Sequence, residues 1–364
     1  MKEKLHIVIS CSRLDLPGGI ERAVTKLANL FQNKGIQISL LIIDETADSF
    51  YPLDPKIRVI QQNLHFGITK SGNPLSRKLR FFRDCNKYRK SVLSLNPDIL
   101  LCSEYTHAVA AAGISPRPGL KIFAWEHHHY FRLEKNWFWK WQIEKKYRKL
   151  DAVVCLNPTE QSIFQKFSSA LVIPNFIETS IEVATPGKER LILTVGGLNH
   201  VKGTDLLLKT ASTLLKKNPE WKWKLIGKGP FIEEVNSFKE NDTAGKRLLI
   251  QEPISPDLDK EYGAAGLFAL TSRSETFPMV LLEAMAVGLP CVSFDCPTGP
   301  SDIIMQQENG LLVEALNIES MINAIQELIS DDEKRSIMGA NARLSVEKFG
   351  PDIVYEKWLA LFQK

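Results

Sequence analysis

Short aliphatic runs recur along this chain, each too short for a buried helix and each followed by residues with helical periodicity. Residues 5–10, 36–43, 99–102, 122–125, 152–156 and 171–173 read as buried strands, with residues 21–33 as a helix after the first. A strand that is apolar on both faces must be covered on both faces, and crossover helices supply the cover. At residues 177–189 the alternation stops in small, polar and acidic residues around Pro186 and Gly187, as in a linker. It then resumes with strands at 190–195, 222–226, 248–250, 267–270 and 291–294 and helices at 204–217 and 278–286. The pattern predicts an α/β chain with two doubly wound, Rossmann-like domains at 1–176 and 190–349, joined by a linker at 177–189. A last helix over 350–364, with Pro351 near its start, is expected to pack back on the first domain.

The length, 364 residues, suits two domains, and 44% hydrophobic content supplies real cores and excludes a disordered chain. The six cysteines include no CxxC pair, which points to a reducing compartment. No apolar run reaches membrane-spanning length, and the first ten residues turn polar too soon for an export signal. A cytoplasmic protein is expected. Charge is uneven: residues 1–180 carry 26 Lys/Arg against 16 Asp/Glu, and residues 181–364 carry 20 against 26. The basic half suits an anionic partner.

In a doubly wound sheet, ligands sit at the carboxyl ends of strands. Gly18-Gly19-Ile20-Glu21-Arg22 follows the first strand, and paired glycines let backbone N–H groups approach an anion at a helix start. A bare turn explains the pair equally well, and the GxGxxG fingerprint is absent. Gly196, Gly197, His200 and Lys202 lie in the loop before the helix at 204–217, where Lys202 would meet a phosphate as a point charge. The spacing is not that of a Walker loop. The segment from Arg273 through Glu283 carries the strongest signal. Glu275 falls just outside the helix that Pro278 starts, and Glu283 falls in its second turn within an apolar run. A carboxylate there needs a hydroxyl or amide partner, which a sugar or ribose offers. The structural alternative is a capping Glu275 and a Glu283 satisfied by backbone.

Glu275 and Glu283 match the E-x7-E motif of the retaining GT-B glycosyltransferases of family 4, and the resemblance covers nearly the whole chain. Gly18 to Arg22 resembles the family's first loop, Ile173-Pro174-Asn175 its domain-ending turn, and Gly196 to Gly203 its phosphate loop. Leu225 to Pro230, Glu283 to Pro290 and Asn309 to Val313 follow in order. The resemblance implies two domains facing across a cleft and a nucleotide-sugar donor held mostly by the second. Lys202 would bind the donor diphosphate, Glu283 the ribose and Glu275 the transferred sugar. Backbone from Phe277 and Pro278 through Met279 and Val280 would hold sugar and phosphate, and Gly19 would approach the phosphates. In Trp125-Glu126-His127-His128-His129, His127 would face the reacting sugar, with Glu126 and His128 as rivals.

Gly197 stands where the family often has arginine, so either His200, Lys228 or Arg273 compensates or the loop closes more tightly on the phosphate. Asp295 to Asp302 resembles a subset using UDP-linked hexoses or N-acetylhexosamines for surface polysaccharides. Asp257-Leu258-Asp259 looks like a metal-binding DxD but reads better as helix capping. No cofactor or metal is expected, since lysine and helix dipoles replace one. The implied activity is retaining transfer of a hexose or N-acetylhexosamine to a lipid-linked or growing saccharide. A nucleotide-sugar epimerase and a non-catalytic nucleotide-sugar binder are the alternatives.

Residues 70–90 and 132–149 interleave basic residues with aromatics, which suits an anionic membrane surface contacted by Arg77, Lys78, Arg80, Phe81, Phe82, Trp137 and Trp139. A solvated helix face over core aromatics is the other reading. No nucleic-acid recognition fold is evident.

Overall fold

The computed structural model describes residues 5–44, 48–66, 74–114, 116–131, 137–178, 189–253 and 257–363, and the side chains of 74–78 also lie outside the description. The chain divides into two compact units, Met1–Pro174 with Val354–Lys364, and Asn175–Ile353.

The first unit runs β1 (His6–Cys11), α1 (Gly19–Asn33), β2 (Gln37–Ile42), β3 (Arg58–Gln61), α2 (Pro74–Leu95), β4 (Ile99–Cys102), α3 (Tyr105–Ala111), β5 (Lys121–Trp125), α4 (Trp137–Tyr147), β6 (Ala152–Cys155), α5 (Pro158–Phe164) and β7 (Ala170–Val172). Its parallel sheet has the order β3-β2-β1-β4-β5-β6-β7. Strands β1, β4 and β6 are buried along their whole length, which is why they read as continuous apolar runs. Strand β3 went unread: it is an edge strand of mixed polarity, exposed at three of its four residues.

The second unit runs β8 (Leu191–Val195), α6 (Thr204–Lys217), β9 (Lys222–Ile226), α7 (Ile232–Asn241), β10 (Leu248–Gln251), α8 (Asp259–Ala264), β11 (Leu267–Leu270), α9 (Met279–Ala286), β12 (Cys291–Asp295), α10 (Pro300–Ile303), β13 (Gly310–Glu314), α11 (Ile318–Ser330) and α12 (Asp332–Ser345). The sheet order is β10-β9-β8-β11-β12-β13. Its core gathers Ile192, Leu214, Trp223, Leu267, Val292 and Leu328.

The last helix, α13 (Pro351–Gln363), belongs from Val354 onward to the first unit. There Trp358 meets Phe31 and Trp125 at ring-centroid distances of 6.3 and 5.5 Å, and the Lys121 ammonium donates to the Phe362 carbonyl at 2.8 Å. Most of the expected linker, residues 179–188, lies outside the described residues. Its first residue is buried, and the Ile177 amide donates to the Phe349 carbonyl at 3.0 Å. Among the described residues, no helix is long and apolar enough to cross a membrane.

In each unit the strand order reverses beside the first strand, between β1 and β4 and between β8 and β11. The crevice at the carboxyl ends of such a strand pair is where doubly wound folds place ligands.

Candidate functional site

In the second unit, β8 delivers the loop from Gly196 to Gly203, and its neighbour β11 delivers the segment from Thr271 to Pro278. The two segments are bound to each other. The Arg273 amide donates to the Val201 carbonyl at 2.8 Å, and the Thr271 hydroxyl reaches the Lys202 and Gly203 carbonyls at 3.2 Å each. Gly203 permits this approach, with φ at +67° and a hypothetical Cβ 1.9 Å from the Thr271 carbonyl oxygen. A larger residue there forces the loops apart.

The loop contacts set the side chains. The Lys202 amide donates to the Asn199 side-chain oxygen at 2.9 Å. The Lys202 ammonium donates to Glu275 Oε1 at 2.6 Å, and the Ser272 hydroxyl donates to the same oxygen at 2.6 Å. Glu275 is only 8% exposed, and the Thr298 hydroxyl bonds its carbonyl. The two residues singled out on separate motifs thus form one ion pair. Ser272, Asn199 and Thr298 were not singled out from the sequence. Ser272 adjoins the motif, but nothing in one-dimensional spacing ties Asn199 or Thr298 to it.

Helix α9 starts at Met279, with Pro278 as its N-cap rather than its first helical residue, because Pro278 has ψ at 99°, an extended value. Among the described residues no side chain of the N-cap closes this end. The first amides of a helix have no intrahelical acceptor, so Met279 and Val280 present N–H groups and the positive end of the dipole. Phe277 is buried against Phe349, at 5.5 Å between ring centroids. Glu283, in the second turn, is 6% exposed and accepts from the Tyr262 hydroxyl of α8 at 2.8 Å. A phenol of the same unit thus holds one of its carboxylate oxygens.

Of the proposed compensating charges, Lys228 and His200 are exposed. Arg273 donates both ends of its guanidinium to Asp205, at 2.7 Å each, and also bonds the His200 carbonyl at 2.7 Å. These bonds raise Arg273 further and hold Asp205 below the usual carboxylate range. The guanidinium thus fastens the loop to α6. At Gly197 a Cβ would meet the Asn199 amide nitrogen at 2.8 Å, a side-chain atom that can move. Asp257 accepts from the Asp259 amide at 3.0 Å, at the start of α8.

In the first unit, Gly19 has nothing within 4 Å of a hypothetical Cβ, whereas one at Gly18 would lie 2.0 Å from Glu21 Oε2. The Glu21 carboxylate therefore folds over the start of α1, and burial pushes its pKa up. His127 follows β5, with its ring 4.3 Å from the Trp125 ring by centroid, and its buried Nε2 has no hydrogen-bond partner among the described residues. Burial, then the charge of His128, lowers its pKa to about 3. Glu126 is a buried acceptor for the Tyr147 hydroxyl. His129 lies 3.3 Å from Glu160, which also accepts the Tyr130 amide.

His127 is expected to stay neutral down to about pH 4. Its folded pKa lies below its unfolded value near 6.5, so it opposes folding as pH falls from about 6.5 toward 3, by about 1.4 kcal/mol per pH unit. Carbon-13 resonances of labelled histidine, assigned with His127→Gln, read this directly. A midpoint near 6.5 for His127 overturns the assignment.

The family model described as "Glycosyl transferases group 1" matches residues 176–345, and that described as "Glycosyltransferase Family 4" matches residues 17–181. An "uncharacterized glycosyltransferase" of Haemophilus influenzae is 30% identical over 354 residues, covering 94% of this chain and 95% of that one. A Campylobacter jejuni GalNAc-alpha-(1->4)-GalNAc-alpha-(1->3)-diNAcBac-PP-undecaprenol alpha-1,4-N-acetyl-D-galactosaminyltransferase is 24% identical, covering 94% of each chain. The crystal structure of a Staphylococcus aureus TarM mutant, in complex with fondaparinux, alpha-GlcNAc-glycerol and UDP, superposes with a TM-score of 0.83. It is 16% identical and covers 99% of this chain and 100% of that one, a likeness of fold.

Proposed function

The chain belongs to the group 1, family 4 glycosyltransferases, and we propose that it moves a hexose or N-acetylhexosamine from a UDP-sugar to a lipid-linked or growing surface saccharide, with retention at the anomeric carbon. The observation that carries the donor site is the Lys202–Glu275 pair beside the uncapped start of α9. A cation, a carboxylate and helix amides without an intrahelical acceptor suit a diphosphate followed by a polyhydroxyl group. The UDP in the TarM complex and the undecaprenol-linked acceptor named for the Campylobacter relative support the choice of donor and acceptor. The epimerase and the non-catalytic binder have no observation in their favour.

In this reading the Lys202 ammonium leaves Glu275 for the diphosphate when the donor enters. Glu275 then accepts from sugar hydroxyls, held in place by Ser272. As the bond from the anomeric carbon to the phosphate oxygen breaks, charge grows on that oxygen, where Lys202 and the Met279 and Val280 amides lower its energy. The departing phosphate oxygen takes the proton of the acceptor hydroxyl, whose oxygen bonds the same face of the anomeric carbon. Gly196 and Gly197 leave room for the phosphates, and the Phe277–Pro278 turn shapes the sugar's surroundings. No metal enters the scheme. The site of action is the cytoplasmic face of a membrane.

Glu283 is assigned to the ribose, with Tyr262 fixing one carboxylate oxygen. Glu283→Gln turns a charge-assisted bond into a neutral one, so UDP affinity should fall about tenfold. Calorimetry with UDP and with its 2′- and 3′-deoxy forms checks this. A deoxy ligand should show little further loss in the variant. Equal losses for all three nucleotides would take the ribose away from Glu283.

A further inference from the structure

On α2 and α4, Phe81 and Trp139 pack inward with ring centroids 5.6 Å apart, so the face expected from the sequence loses both. The side chains of Arg77 and Lys78 lie outside the described ones. A different feature of the first unit is open and unused by the donor site. At the carboxyl edge of the sheet there is a cavity of about 470 Å³, within the roughly 300–1,000 Å³ common for small-molecule sites.

The cavity has two kinds of lining. Ile42, which ends β2, Leu53 and Val59 of β3 supply apolar surface, and Asp48, Ser49 and Gln61, which ends β3, supply polar groups. Val59 is 43% exposed, an apolar surface that folding leaves open. The segment joining β2 to β3 is fastened in place. The Phe50 amide donates to the Leu14 carbonyl at 2.8 Å, and the Ser49 hydroxyl donates to the Tyr51 carbonyl at 2.8 Å. From α1, the Asn29 side chain donates to the Pro52 carbonyl at 2.8 Å and accepts the Asp54 amide at 2.9 Å. The cavity therefore exists before any ligand arrives. In the sheet order β3-β2-β1-β4 it stands at the ends of β2 and β3. That is one to two strand spacings, about 5–10 Å, from β1 and the crevice between β1 and β4.

We propose that this cavity is an acceptor subsite for an uncharged pyranose residue, one step or more along the chain from the sugar that is glycosylated. A pyranose has an apolar C–H face and a hydroxyl rim. The first suits Ile42, Leu53 and Val59, and the second suits Asp48, Ser49 and Gln61. Charge argues against a phosphate-bearing chain: the described lining holds one carboxylate and no cation, so a phosphate would meet repulsion from Asp48. A hydrocarbon tail would leave three polar side chains facing alkane. The proposal rests on the transferase reading and narrows its acceptor to a saccharide at least two residues long with an uncharged end.

Val59→Arg tests it, since the position is an exposed edge strand and the fold should hold. With membrane extract as acceptor, the variant's KM for extract should rise roughly tenfold, while kcat and UDP affinity stay at wild-type values. Saturation-transfer NMR on the full chain with UDP present compares glucose with maltotriose, and N-acetylglucosamine with triacetylchitotriose. At least one trisaccharide should bind more tightly than its monosaccharide, and Val59→Arg should remove that difference. Glycerol 1-phosphate and farnesyl phosphate should not compete with the trisaccharide. A wild-type KM for extract in Val59→Arg overturns the proposal. So does a trisaccharide advantage that is absent from both pairs or survives the substitution, and so does competition by either phosphate. If instead the transferase reading fails, wild type releases no UDP, and the NMR comparison still decides the cavity.

Discussion

Lys202→Ala is expected to lower turnover by roughly 10²–10³-fold, the range typical of removing one group aimed at charge that develops in the transition state. The loop itself should survive, because its backbone is tied to the next strand by the bonds of Arg273 and Thr271. The Lys202 side chain is 36% exposed, so its ion pair with Glu275 contributes little to stability, under about 1 kcal/mol. UDP affinity should fall by roughly tenfold or more, since a charge-assisted contact contributes about 1.5–3 kcal/mol. Calorimetry, initial rates and a thermal melt separate the three effects. A wild-type rate with unchanged UDP affinity would assign Lys202 to its carboxylate partner alone.

Glu275→Gln should behave differently, although it breaks the same ion pair. Turnover should fall by roughly 10²-fold, from two sugar hydroxyls that each lose a charge-assisted bond of about 1.5 kcal/mol. UDP affinity should hold or rise, because the substitution frees Lys202 from its 2.6 Å partner. The two substitutions touch each other, so their effects on UDP binding should not add. The double variant should bind UDP like Lys202→Ala. A Glu275→Gln protein that loses UDP as severely as Lys202→Ala would make the pair a structural clamp on the loop.

The reach of the sequence follows physical lines. Strands such as β4 and β6, buried on both faces, cannot be polar anywhere and so were legible. Strand β3 borders solvent and carries Arg58 and Gln61, so no apolar run marks it. Glu275 and Glu283 were legible because a carboxylate in an apolar run demands an explanation. Their partners were not. Lys202 and Glu275 stand 73 positions apart and meet only because β8 and β11 are neighbours in the sheet. Tyr262 reaches Glu283 from α8, again through the fold. On α2, Cys85, Tyr88 and Val92 recur at helical spacing, and Phe81 extends that stripe while Phe82 falls off it. That periodicity distinguishes a core ring from an exposed one, and composition alone does not.

The central claim is that the residues joining β8, β11 and α9 form a nucleotide-sugar donor site used for transfer. UDP release from a panel of UDP-hexoses and UDP-N-acetylhexosamines, with membrane extract as acceptor, measures it most directly. The account predicts release with at least one donor, dependent on the extract and reduced by roughly 10²-fold or more in Lys202→Ala and in Glu275→Gln. Release at the wild-type rate in both variants, or none from any UDP-sugar with a protein that binds UDP, would contradict it.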